Sequence, residues 1–111
     1  VTTKDKIYDA LNGLGPFLSY GDSDNPVIPR IHYFLLANIS VRLSNKRHTQ
    51  MPIYQVDYFS DIPLNVEDAE ILSVITESLE KINLTTSDWR EVISYNEDED
   101  RTDWHYFVEV R

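Results

Sequence analysis

The sequence predicts an α+β domain: a mostly antiparallel sheet of four or five strands flanked by two helices, with a long basic β-hairpin arm and a C-terminal β-hairpin. Three observations predict it. Tyr54, Val56 and Tyr58 point one way and Gln55 and Asp57 the other, the period of a half-buried strand. Trp104, Tyr106, Val108 and Val110 repeat that period near the end of the chain. Leu72, Ile75, Leu79 and Ile82 recur instead at helical spacing, an apolar stripe widened by Ala69 and Ile71.

Taken in order, Thr2 or Thr3 can cap a first helix, expected over 3–13, in which Ile7, Ala10, Leu11 and Leu14 share a face. Gly13 and Gly15-Pro16 end it, because Gly supplies a positive φ and Pro forbids continuation. Residues 17–20 read as a short strand and 21–26 as a turn or loop. Residues 27–37 are too apolar for a solvated face and read as a central strand. In 38–49, Ile39, Val41 and Leu43 alternate with Ser40, Arg42 and Ser44, as in a strand or one arm of a long hairpin whose exposed tip is 44–49. The middle strand of the fold lies within 50–62, with Pro52 at its entrance because it lacks a backbone donor and Ser60-Asp61-Ile62-Pro63 breaking it. Asn65 can cap the second helix, expected over 65–82, with Glu67, Asp68 and Glu70 where the helix dipole favours negative charge. Residues 89–95 and 104–110 read as the two arms of the final hairpin, joined by a polar loop, 96–103, that carries five acids.

A chain of 111 residues is read as a single domain, 1–111, large enough to bury a core. It has no cysteine, which excludes disulfides and thiolate metal sites. No apolar run is long enough to span a bilayer, and no basic start with an apolar core precedes Thr2. The expectation is a soluble protein made inside the cell, with no membrane partner. The net charge of −9 disfavours general binding to a phosphate backbone. That charge is uneven. Arg30 to His48 holds Arg30, Arg42, Lys46 and Arg47 and no acid, a local +4 that leaves −13 on the remainder.

Few residues are spaced for chemistry. Asp22-Ser23-Asp24 begins like a calcium loop, but Pro26, Val27 and Tyr33 stand where such a loop needs a ligand, a glycine and a bidentate acid. Glu97, Asp98, Glu99 and Asp100 form a consecutive acidic run, which reads as a solvated tip and a complementary or lumen-facing surface rather than a metal site. His32, His48 and His105 lack any partner at ligand spacing, and His105 and Glu109 share a strand face too far apart to touch. Three glycines cannot build a phosphate-cradling loop, and no nucleophile elbow is present. The expectation is a protein that is not an enzyme and needs no cofactor or metal. The basic stretch is the best functional candidate: Ile39, Val41, Arg42, Leu43, Lys46, Arg47 and His48 combine apolar and basic positions and read as a subunit interface.

The layout also resembles a family. A helix opening with Ile7-Tyr8-Asp9-Ala10-Leu11 is followed by Phe17-Leu18-Ser19-Tyr20. Then come a long hairpin, Tyr54-Gln55-Val56-Asp57-Tyr58-Phe59-Ser60-Asp61, an acid-opened helix and a terminal pair ending Tyr106-Phe107-Val108-Glu109-Val110. This order is similar to that of the tail terminator, or tail completion, proteins of long-tailed bacteriophages with flexible tails. The resemblance covers nearly the whole chain and is tightest from Gln55 to Asp61 and the helix after it. It implies a virion protein made in the host bacterial cytoplasm that forms a homo-hexameric ring at the head-proximal end of the tail tube. Such a ring stops tube polymerisation, touches the tube protein and the head connector protein, and lets DNA pass without specific binding. Two other readings stand beside it: a head-side neck connector or stopper ring, and an acidic inhibitor or DNA mimic that covers a basic partner with its acids.

Overall fold

The computed structural model describes residues 2–21, 27–43 and 46–111; the side chains of Val41, Arg42, Lys46, Arg47 and His48 also lie outside that description. Helix α1, Thr3–Leu11, starts where the Thr2 hydroxyl accepts the Asp5 N–H at 3.2 Å. It stops two residues short of the expected end, as Asn12 leaves the helical region and Gly13 takes a φ of +98°, which only glycine adopts without strain. Strand β1, Phe17–Tyr20, pairs in parallel with β2, Arg30–Leu43. Strand β3, Lys46–Ser60, runs antiparallel to β2 and to β5, Arg101–Val110, and β4, Arg90–Asn96, closes the far edge against β5. The result is a mixed five-stranded sheet of order β1-β2-β3-β5-β4, with β3 at its centre.

The strand boundaries correct the sequence reading. Residues 27–37 and 38–49 are not two strands; β2 runs through both with a register shift between Leu35 and Ala37, and β3 begins at Lys46 rather than at 50. Lys46 to Thr49, expected in the exposed tip, instead continue the ladder against Val41 to Leu43, while Ser44 and Asn45 lie outside the described residues. Pro52 sits inside β3 opposite Asn38, not at its entrance. It is tolerated there because β5 joins β3 only from Tyr54 onward, so no second neighbour needs its missing N–H.

Helix α2, Glu70–Glu80, is shorter than expected. Residues 66–68 form a turn in which the Asn65 side chain accepts the Glu67 N–H at 3.0 Å, and Asp68 and Ala69 donate to the Asn65 carbonyl. Glu67 and Asp68 thus precede the helix, and only Glu70 lies in its first turn.

Cross-strand register explains where the core sits. Ile31, Tyr58 and Tyr106 form one row across β2, β3 and β5, and Tyr33, Val56 and Val108 the next, all on one face. Ile7 and Leu11 of α1 and Leu72, Ile75 and Leu79 of α2 join these residues in a single buried cluster, so both helices cover the same face. Each such side chain contributes about 1.5–3 kcal/mol of burial. The opposite face, bearing Arg30, His32, Phe34, Gln55, Asp57, Phe59, His105 and Phe107, carries no helix among the described residues.

Candidate functional site: the arm, the acidic turn and a buried carboxylate

Beyond the pairs Tyr20–Tyr33 and Tyr54–Val110, β2 and β3 have no partner but each other. Residues 36–43 and 46–53 therefore form a two-stranded ribbon about 25 Å long at the rise of a β-strand. It stretches the molecule to 55 Å along one axis against 29 and 23 Å on the others. A ribbon of two strands gains little from its own pairing in water. Of the expected interface residues, Ile39 and Leu43 are 45% and 57% exposed, joined by Leu36 and Met51, which the sequence reading had not selected. The side chains of Val41, Arg42, Lys46, Arg47 and His48 lie outside the described residues, but the backbone sets Arg42 opposite Arg47 and Leu43 opposite Lys46. Like charges directly across a ladder weaken its pairing.

The expected acidic tip is tighter than a loop of eight residues. β4 ends at Asn96, whose side chain accepts the Asp98 and Glu99 N–H groups at 3.1 and 3.2 Å, and β5 resumes at Arg101. Arg101 pairs with Glu99 at 2.7 Å and Asp103 at 2.9 Å, and the Tyr95 hydroxyl donates to Asp100. Glu97 and Asp98 form no ion pair among the described residues. Because β5 runs antiparallel to β3, with Trp104 opposite Ser60, this turn lies past the end of β3 farthest from Lys46. The structure therefore holds the basic tip and Glu97 to Asp100 at opposite ends of one molecule, where they cannot meet within a subunit.

The third site was missed by the sequence reading. Asp57, expected on the solvated side of its strand, is only 2% exposed. His32 on β2 reaches its Oδ2 through Nδ1 at 3.0 Å, and His105 on β5 reaches its Oδ1 through Nε2 at 2.7 Å. Gln55, two residues earlier on β3, donates to Oδ1 at 2.7 Å. His105 also stacks on Phe59, their ring centroids 4.4 Å apart, and Arg30 lies over the same phenyl ring at 4.3 Å. Burial alone raises the pKa of the Asp57 carboxyl, but the hydrogen bonds from His105, Gln55 and His32 and the charge of His105 outweigh it, leaving it below the usual carboxylate value. Two histidines taken singly had no partner in the sequence because the partner comes from a third strand, 25 residues from one and 48 from the other. The available signal was an acid at the centre of the strictly alternating strand.

The chemistry of this cluster is limited. Ser19 on β1 is in register with His32, which itself contacts Asp57, so a hydroxyl, an imidazole and a carboxylate follow one another across three strands. Yet the Ser19 hydroxyl oxygen is buried without a partner and His32 Nε2 is turned to the Gly21 carbonyl, so this row does not pair its hydroxyl with its imidazole. Among the described residues no group of His, Asp or Glu is arranged to hold a metal ion, and no helix is long and apolar enough to cross a membrane. Asp22, Ser23 and Asp24 lie outside the described residues. A cleft of about 410 Å³ is lined by Thr76, Glu80, Thr86, Ser87, Asp88 and Trp89, and in it the Thr86 hydroxyl donates to Glu80 Oε1 at 2.9 Å. No family model matches the chain, and no curated protein is similar to it in sequence.

Proposed function

We propose that the chain is a structural subunit of a long-tailed phage virion. Its copies would assemble into a hexameric ring that caps the head-proximal end of the tail tube, ends tube polymerisation and offers the head a docking surface. The observation that carries this reading is the arm. It exposes Leu36, Ile39, Leu43 and Met51 on a two-stranded ribbon, a cost to a monomer and a gain to a neighbour that covers them. The basic tip and the acidic turn at opposite ends of one molecule make a head-to-tail pair of complementary surfaces, the contact type that closes into rings. A net charge of −9 suits a ring through which DNA slides without being held.

On this reading the role is structural rather than catalytic, and no cofactor takes part. The partners are other copies, the tail tube protein and the head connector protein; the chain is made in the host cytoplasm and ends in the virion. A head-side neck connector would use the same self-contact and differ in which neighbour it binds.

Light-scattering mass, measured at rising concentration alone and with purified tail tube protein, tests the reading. Ring-sized species and shortened tubes are expected with the tube protein. A chain that stays monomeric in both conditions overturns the ring. Rings that bind the head connector but leave tube length unchanged move the assignment to the neck connector. A monomer that forms a tight complex with a basic nuclease or repressor points to the inhibitor class.

A further inference from the structure

The sheet face opposite the helices runs on without a break into the arm. On β3, Ile53, Met51 and Thr49 continue the side that bears Gln55, Asp57 and Phe59, because the register shift between Leu35 and Ala37 adds its extra residue to β2 and not to β3. Ala37 and Ile39 stand opposite Ile53 and Met51 and share that side, while Asn38, Ser40, Gln50 and Pro52 take the other. The arm is therefore apolar on the open side and mostly polar on the side of the helices.

In the body of the sheet the open side carries Phe34, Phe59 and Phe107, with Phe17 and Val92, 43% and 45% exposed, on its two edge strands. On the arm, Ile39 and Met51 are 45% and 41% exposed. Asp57 does not bar this face from being covered. Its carboxylate is already held by His32, His105 and Gln55, so a cover leaves no bare charge beneath it.

The two ends of the face differ in charge. The basic tip ends the arm, and the turn from Glu97 to Asp100 lies past the other end, beyond Trp104 and Ser60. A surface that is apolar along its length, basic at one end and acidic at the other complements itself when turned end for end. We propose that the open sheet face docks a second copy of this chain, packed face to face and end for end about a two-fold axis that runs across the strands. Each arm lies on the sheet body of the other copy, and each basic tip meets the other's acidic turn. Sheets packed in this way stand about 10 Å apart with their inner side chains interdigitated. The axis passes by Ile53, the midpoint of β3, and its neighbour Ala37, so that Ile39 and Met51 of one copy come down on Phe34 and Gln55 of the other. This contact does not rest on the ring. A head-to-tail ring joins unlike surfaces of successive copies, whereas the pair uses one surface twice and leaves neither tip free, so the two exclude each other.

The chain has no cysteine, so a single introduced one reports its own neighbour. Ile53→Cys, treated in dilute solution with a short bis-maleimide, should give a covalent pair, because a two-fold contact brings a residue to its own copy and a head-to-tail contact does not. Ala37→Cys, beside it on the axis, should do the same and serves if Ile53→Cys fails to fold. Ile93→Cys is 59% exposed but lies on the other side of β4, so it should give little product. Phe107→Glu sets a charge beneath the partner's arm and should weaken the pair at least about tenfold in sedimentation, with native circular dichroism. A parent chain that is monomeric at every concentration overturns the pair, as do oligomers in which neither axial cysteine links more than Ile93→Cys does. Oligomers of the latter kind with a ring-sized mass leave the head-to-tail ring standing. Axial cross-links together with no ring on the tail tube protein uphold the pair and overturn the ring alone.

Discussion

Replacing Asp57 by Asn changes the shape of the central strand hardly at all and should still be among the most damaging polar substitutions in the molecule. The carboxylate takes hydrogen bonds from His105 at 2.7 Å, Gln55 at 2.7 Å and His32 at 3.0 Å while only 2% exposed. An amide has one accepting oxygen, so if it keeps His105 and Gln55 its NH₂ group confronts His32. Hydrogen bonds to charged groups are worth about 1.5–3 kcal/mol each, and breaking a buried pair costs about 3–5 kcal/mol. The two imidazoles are 17% and 23% exposed, so water relieves part of the loss and the low end, about 3 kcal/mol, applies. For a domain of this size that corresponds to a fall in Tm on the order of 10 °C.

The loss has a pH signature. A carboxylate whose folded pKa is lowered adds stability that is present above its unfolded value and disappears as pH falls through the folded one. Urea unfolding of parent and variant should therefore show the full gap at neutral pH and a shrinking gap below about pH 4. A gap under about 1 kcal/mol at neutral pH, or one that persists undiminished in acid, would refute the assignment of Asp57 as an ionised, hydrogen-bonded anchor.

Other substitutions test other parts of the structure. Ile75→Ala, at a fully buried position, should cost about 2–5 kcal/mol by denaturant melt, whereas Ile93→Ala on β4, 59% exposed, should cost little. Tyr106→Phe should cost about 1–3 kcal/mol, because the Tyr106 hydroxyl accepts the Leu64 N–H at 2.7 Å and donates to Glu91 at 2.7 Å, and both groups lose that bond. Its circular dichroism should stay native, which separates a lost bond from a lost fold. Reversal of Arg42, Lys46 and Arg47 to Glu should leave a folded monomer and block assembly in light scattering; unchanged oligomers would show that the basic tip is not the contact. Added salt should weaken that assembly without abolishing it, since exposed ion pairs contribute modestly.

Amphipathic period was enough to locate α1, the apolar stripe of α2, the inward set Tyr54, Val56 and Tyr58, and the shared face of Trp104, Tyr106, Val108 and Val110. These are local patterns, imposed by one buried face and one solvated face, and each residue carries its own share of the signal. Boundaries were less legible where two local preferences compete. Asn65 offers a helix cap, but its side chain and carbonyl close a turn instead and push α2 to Glu70. Pro52 marks a strand's start only if both neighbours of the strand are present, and at that height β3 has one.

Composition likewise determined that four bases between Arg30 and His48 stand against an acidic remainder. Only the tertiary structure decided that the basic tip and Glu97 to Asp100 lie at opposite ends, because that follows from β5 running antiparallel to β3. The parallel pairing of β1 with β2 is equally invisible in a period of two, which reports which face a residue takes and nothing of strand direction or neighbour. The meeting of His32, Asp57 and His105 needed strand order, register and direction together. Pairwise contacts between strands distant in sequence are set by the packing of the whole sheet, so the same residues that read as three unrelated polar positions in the chain become one buried, charged cluster in the fold.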